Sequence, residues 1–143
     1  MTDVIEPVRH YLQSRGCAPD LVERGLDGLL DEWRLVAEDV AELGYPLGLD
    51  DYLNDMDGRD LLEGALQSLD RPARAAVRAR VEAADRLLLD ASVPCAECLW
   101  GEELAEAHHW EAGTQWWYYR VPKEHSLQFA GDLEAAGIHP QPE

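Results

Sequence analysis

Residues 19–43 read PDLVERGLDGLLDEWRLVAEDVAEL, and this stretch decides the fold class. Val22, Leu26, Leu29, Leu30, Trp33, Val36, Ala37, Val40 and Leu43 recur at three- and four-residue steps, so they line one face of a helix. Pro19 suits a first turn, and Gly44 with Pro46 closes the element. Gly25 and Gly28 each cost about 1 kcal/mol relative to Ala. The expectation is one long helix with Gly25 as its weakest point.

The same periodicity extends to both sides. Residues 3–15 read as a helix with Ile5, Val8, Tyr11 and Leu12 inward, Thr2 as its cap and Gly16 as its stop. Residues 49–68 carry two apolar stripes separated by Asp57-Gly58, which predicts two short helices or one bent one. Asp50 is the expected cap. Residues 71–91 form a helix opened by Asp70 and Pro72, with Val77, Val81, Ala84 and Leu88 as its ridge. Beyond Pro94 the signal weakens. A short helix fits 101–109, and a last one fits 125–136 with Leu127, Ala130 and Leu133 inward. Thr114–Val121 is rich in aromatic residues and is the one strand candidate. The fold class is therefore mainly α: a single helical bundle of five to six helices, with at most one short strand or hairpin near residues 110–121. Residues 1–137 form one acidic domain and 138–143 a loose tail.

A chain of 143 residues, 46% of them apolar, is long enough for one well-buried core. The first residues lack the basic and apolar pattern of a signal peptide, and no apolar run nears the ~20 residues that span a bilayer, so the expectation is a cytoplasmic protein. The formal net charge is −17. Nucleic acids and anionic membranes are thus poor partners, since phosphate contact needs a basic face.

The charge is segregated. Residues 45–70 hold seven acids against one base, whereas residues 71–92 hold five arginines against three acids. Arg71, Arg74, Arg78, Arg80 and Arg86 are expected to pair with carboxylates on neighbouring helices. The densest acids are Asp50, Asp51, Asp55, Asp57, Asp60 and Glu63. Aligning Gly58 with the invariant glycine of a calcium loop puts Leu53 first and Gly64 last, where acids are required, so that motif fails. An acidic helical face can instead occupy a cationic groove, offering carboxylates where phosphates would sit.

Two other features carry chemistry. Cys95 and Cys98 form a C-x-x-C. With His109 and His125 they could hold zinc, although the spacing to His108 and His109 is shorter than in common zinc fingers. Reduced thiols at a turn are the simpler reading. Seven of the eleven aromatics fall between Trp100 and Phe129. An extended Trp116, Trp117, Tyr118, Tyr119 run would put alternate rings on opposite sides, one packed inward and one free for a partner. No nucleophile elbow or phosphate-binding glycine loop is present, so no catalytic residues are assigned.

The stretch YPLGLDDYLNDMDGRDLL (residues 45–62), with Leu99-Trp100-Gly101 and Trp116 to Pro122, resembles a family of small bacterial proteins of uncharacterised activity. The resemblance implies no mechanism. The reading is of a non-enzymatic bacterial interaction protein. It binds a basic protein partner through Asp50, Asp51, Asp55, Asp57, Asp60, Glu63 and Trp116–Tyr119, as an immunity protein or antitoxin would. The alternative is a zinc-stabilised or regulatory subunit built on Cys95 and Cys98. Oligomeric state is left open.

Overall fold

The computed structural model describes residues 4–141. Its elements run α1 (Ile5–Ser14), α2 (Pro19–Leu43), α3 (Leu49–Gln67), α4 (Arg71–Asp90), β1 (Ser92–Pro94), α5 (Glu102–His108), a 3-10 turn (Trp116–Tyr119), β2 (Arg120–Pro122) and α6 (Leu127–Ala136). The architecture is mainly α, with six helices and one two-stranded sheet among the described residues. The proposed Thr2 cap lies outside them.

Most of the α2 stripe is inward: Leu26, Leu29, Leu30, Trp33, Ala37 and Val40 are buried, whereas Leu43 at the end of the helix is 79% exposed, and in α1 the expected inward Ile5 is likewise exposed. The helix packs on α1, α3 and α4. It breaks at Gly25, where φ is 60° and ψ is −140°. Only glycine adopts that conformation at low cost.

α3 is continuous through Asp57-Gly58, which corrects the expected turn. Gly58 has open space where a side chain would stand, and Met56 and Arg59 on either side keep the buried stripe in phase. Asp50 is not the cap; the Leu49 amide donates to Asp132 Oδ2 of α6 at 3.0 Å. Gly64 faces α1 so closely that a side chain there would overlap the Tyr11 ring. α4 is capped as expected, Asp70 Oδ1 accepting from the Ala73 amide at 3.0 Å.

β1 and β2 pair antiparallel, with Ser92 opposite Pro122 and Pro94 opposite Arg120. They are not a hairpin, since residues 95–119 loop out between them. The strand expected over 114–121 is confined to its last residues. Trp116–Tyr119 instead coil into a single 3-10 turn. Coiling lets Trp117, Tyr118 and Tyr119 all bury, whereas an extended run would leave alternate rings in water.

α6 is capped by Ser126 and buries Phe129 and Leu133. Leu127 lies off that face and is 93% exposed, and Ala130 is exposed as well, the reverse of expectation for both. The segment 138–141 is also unlike the loose tail expected. Ile138 is buried, and the Gln141 amide donates to the Pro94 carbonyl at 2.8 Å, extending the edge of β1.

Candidate functional site

The acids of residues 50–63 do not form one surface. Asp50 and Asp51 are exposed in the first turn of α3. Asp55 is half-buried and accepts the Tyr45 hydroxyl at 2.7 Å. Burial raises its carboxyl above the usual range. Glu63 turns the other way, toward α4. Asp57 and Asp60, one helical turn apart, line a cleft together with Trp100, Trp110 and Tyr118.

Asp57 is where the two regions singled out in the sequence meet. Its Oδ1 accepts the Trp100 indole N–H at 2.9 Å and the Tyr118 hydroxyl at 2.7 Å. Burial and the bond to Asp57 raise the Tyr118 hydroxyl well above its ordinary value, so Tyr118 stays a donor. Trp110 stacks on His108 with centroids 4.6 Å apart and lies tilted against Tyr118 at 4.3 Å. Together these groups line an open cleft of about 400 Å³, with Arg15, Asp60, Leu61 and Leu104 completing its walls. Asp60 makes no hydrogen bond or ion pair among the described residues. Its carboxyl is pushed up, first by burial and next by the neighbouring Asp57 charge, against the smaller lowering effect of the Arg15 and Arg59 charges.

The aromatic candidates need correction. Trp117, Tyr118 and Tyr119 are at most 8% exposed, so they anchor the segment rather than present a surface. Trp116 is half-buried, edge-on to Trp33 at 6.5 Å. The aromatic that does reach solvent is Trp100, 37% exposed, which the sequence reading left out of its partner-binding set. The clue was its place beside a chain reversal, with Gly101 following.

A second charge cluster, also missed, joins α3 to α4. Arg59 is 2% exposed. Its Nε and Nη2 donate to the two oxygens of Asp85 at 2.9 and 3.0 Å, and its Nη1 donates to Glu63 at 3.1 Å. The Trp33 indole also donates to Asp85, at 2.8 Å. Trp117 covers the guanidinium at 4.4 Å. Burial pushes the Glu63 carboxyl up, but hydrogen bonds from Arg78, Gln67 and Arg59 outweigh it and hold the group at about 2. Among the described residues Arg78 is the one arginine of α4 to pair with another helix's carboxylate; Arg74 donates to the Leu66 carbonyl of α3 and to the Leu69 carbonyl just past it. Arg71, Arg80 and Arg86 form no ion pair among the described residues, contrary to expectation. A cleft of about 700 Å³ opens beside this cluster, bounded by Glu82, Arg86 and Trp116.

The proposed zinc ligands are not brought together. Cys95 and Cys98 are buried, reduced thiols. Burial pushes Cys95 up to about 12 and raises Cys98 as well. His109 is exposed in the left-handed position that ends α5. The His125 Nδ1 lies 2.8 Å from the Pro122 carbonyl. Among the described residues, no group of three or more His, Cys, Asp and Glu side chains is placed to hold a metal. None of the described helices is long and apolar enough to cross a membrane.

Comparison with protein-family models, with curated proteins and with solved structures finds no match to this chain.

Proposed function

We propose that this is a non-enzymatic interaction protein that binds a basic protein partner through the face where α3 meets the aromatic segment. The observation that carries this reading is the cleft at Asp57. There two carboxylates stand beside an exposed tryptophan, on a chain of net charge −17. Unneutralised carboxylates of this kind attract and orient cationic surfaces over several ångströms, which speeds association. Trp100 supplies the large, partly apolar contact typical of a binding hot spot. In its sharpest form the partner is a toxin or nuclease, and the acidic face fills the groove meant for phosphates.

The test is affinity capture at low salt followed by elution at high salt, then calorimetry with the purified partner. A basic partner is expected, with affinity that falls as salt rises and falls again in Trp100→Ala. If the partner cleaves nucleic acid, adding the protein should stop cleavage. Binding that ignores salt, or a partner without a basic surface, would sink the reading.

A further inference from the structure

Buried charge in this molecule is almost fully matched. Asp55 has Tyr45, Glu63 has Arg59 and Arg78, Asp85 has Arg59 and Trp33, and Asp132 has the Leu49 amide. The half-buried Glu38 and Glu97 have Arg34 and the His139 amide. Asp60 is the exception among the described residues that are buried or half-buried. A half-buried carboxylate without a donor costs free energy, and a neighbouring negative charge adds to the cost. Arg15 lines the same cleft, and its charge and that of Arg59 partly offset the cost at Asp60, but neither guanidinium reaches ion-pair distance of it.

The surroundings say what would match it. Asp57 spends Oδ1 on two donors, and Oδ2 makes no hydrogen bond to a described residue. One free carboxylate oxygen and one whole free carboxylate thus face a cavity walled by Trp100 and Trp110. A planar cation can stack on an indole while its edge donates to carboxylates, and guanidinium fits this better than a compact ammonium.

We propose that this cleft is a guanidinium-binding site, occupied by one arginine side chain of the basic partner, bonded by Asp60 and Asp57 and stacked on Trp100. The proposal rests on the partner reading above, which it makes specific. His108 and Arg15 are the cationic or ionisable groups at its rim that oppose a second positive charge.

The probe is agmatine, which carries one guanidinium and, four carbons away, one ammonium, titrated into the 15N-labelled full chain; cadaverine, with an ammonium at each end, is the matched control. The five tryptophan indole N–H signals report site by site. Shifts are expected at Trp100 and Trp110, with Trp33 and Trp117 unmoved. Asp60→Asn should weaken agmatine binding on the order of tenfold. That variant removes no hydrogen bond to a described residue, so it should stay folded, as its unchanged Trp33 and Trp117 signals will confirm. Cadaverine should bind more weakly than agmatine, and equal binding would overturn the guanidinium assignment. Binding seen only in Arg15→Gln would mean that the chain's own arginine is the occupant, which also overturns the proposal. The two levels separate cleanly. Agmatine binding without any basic protein partner fails the partner reading alone. Salt-dependent partner binding that Asp60→Asn leaves intact fails the cleft alone.

Discussion

Arg59 is a guanidinium with almost no surface, held by two carboxylates and roofed by an indole. Such a cluster is stable only when complete, because removing one member leaves the others charged and dry. Asp85→Ala is therefore expected to cost about 3–5 kcal/mol, read from urea unfolding. Replacing the pair together, Arg59→Met with Asp85→Leu, should recover much of that loss. A loss below about 1 kcal/mol for Asp85→Ala would show that water already reaches the cluster. The cluster was legible in principle. Leu49, Tyr52, Met56, Arg59, Glu63 and Leu66 advance by alternating steps of three and four, so Arg59 stands on the buried stripe of α3. Asp85 sits likewise on the Val77–Val81–Leu88 ridge of α4. Counting both residues as surface charge hid them. Asp60 is the converse case: charge counting found it, but only the packing of Trp100 and Tyr118 around Asp57 shows why it differs from Asp50.

At the scale of elements, two glycines make opposite predictions. Gly25 holds a backbone shape that side chains resist, so Gly25→Ala should destabilise by roughly 1–3 kcal/mol. Gly58 is helical with open space beside it, so Gly58→Ala should stabilise by about 0.5–1 kcal/mol. Thermal melts of the two variants, shifted in opposite directions, would confirm both; a loss at Gly58 would mean that α3 does bend there. Sequence alone placed all six helices, because each buries a face whose period survives any error at its ends. It misplaced what depends on contacts between distant segments. Asp57-Gly58 has turn composition, yet the stripes on either side join only when the helix continues. Residues 114–119 have strand composition, yet the Asp57 carboxylate and the Arg59 guanidinium draw Tyr118 and Trp117 inward from a coil.

At the scale of the molecule, the acidity is resolved into three parts. Exposed acids such as Asp50 and Asp51 set the long-range field. Asp57 and Asp60 form the cleft, and Glu63 with Asp85 is consumed internally. The first part destabilises the compact state by self-repulsion. Sodium chloride should therefore raise the melting temperature as the screening length shrinks from ~30 Å at 0.01 M to ~8 Å at 0.15 M. A melting temperature flat across that range would mean that the surface carboxylates are already neutralised, by each other's partners or by bound cations. The helical bundle could be read from periodicity. The division of charge among field, cleft and core could not, because it depends on which flank of each helix meets a neighbour.

The roof over Arg59 comes from Trp117, far along the chain from the helices that hold the guanidinium. On the ribosome, α1 to α4 emerge first, and each can fold against its predecessors as it appears. Until residue 117 clears the exit tunnel, the Arg59–Asp85 pair stays wet on one side and correspondingly weak. Synthesis thus delivers a helical intermediate whose polar centre is sealed only at the end. Only a short stretch of chain follows Trp117, so a chain stalled at residue 143 still holds that indole inside the tunnel and should be cut by proteases, whereas the released chain, or one held through a long added linker, should be spared.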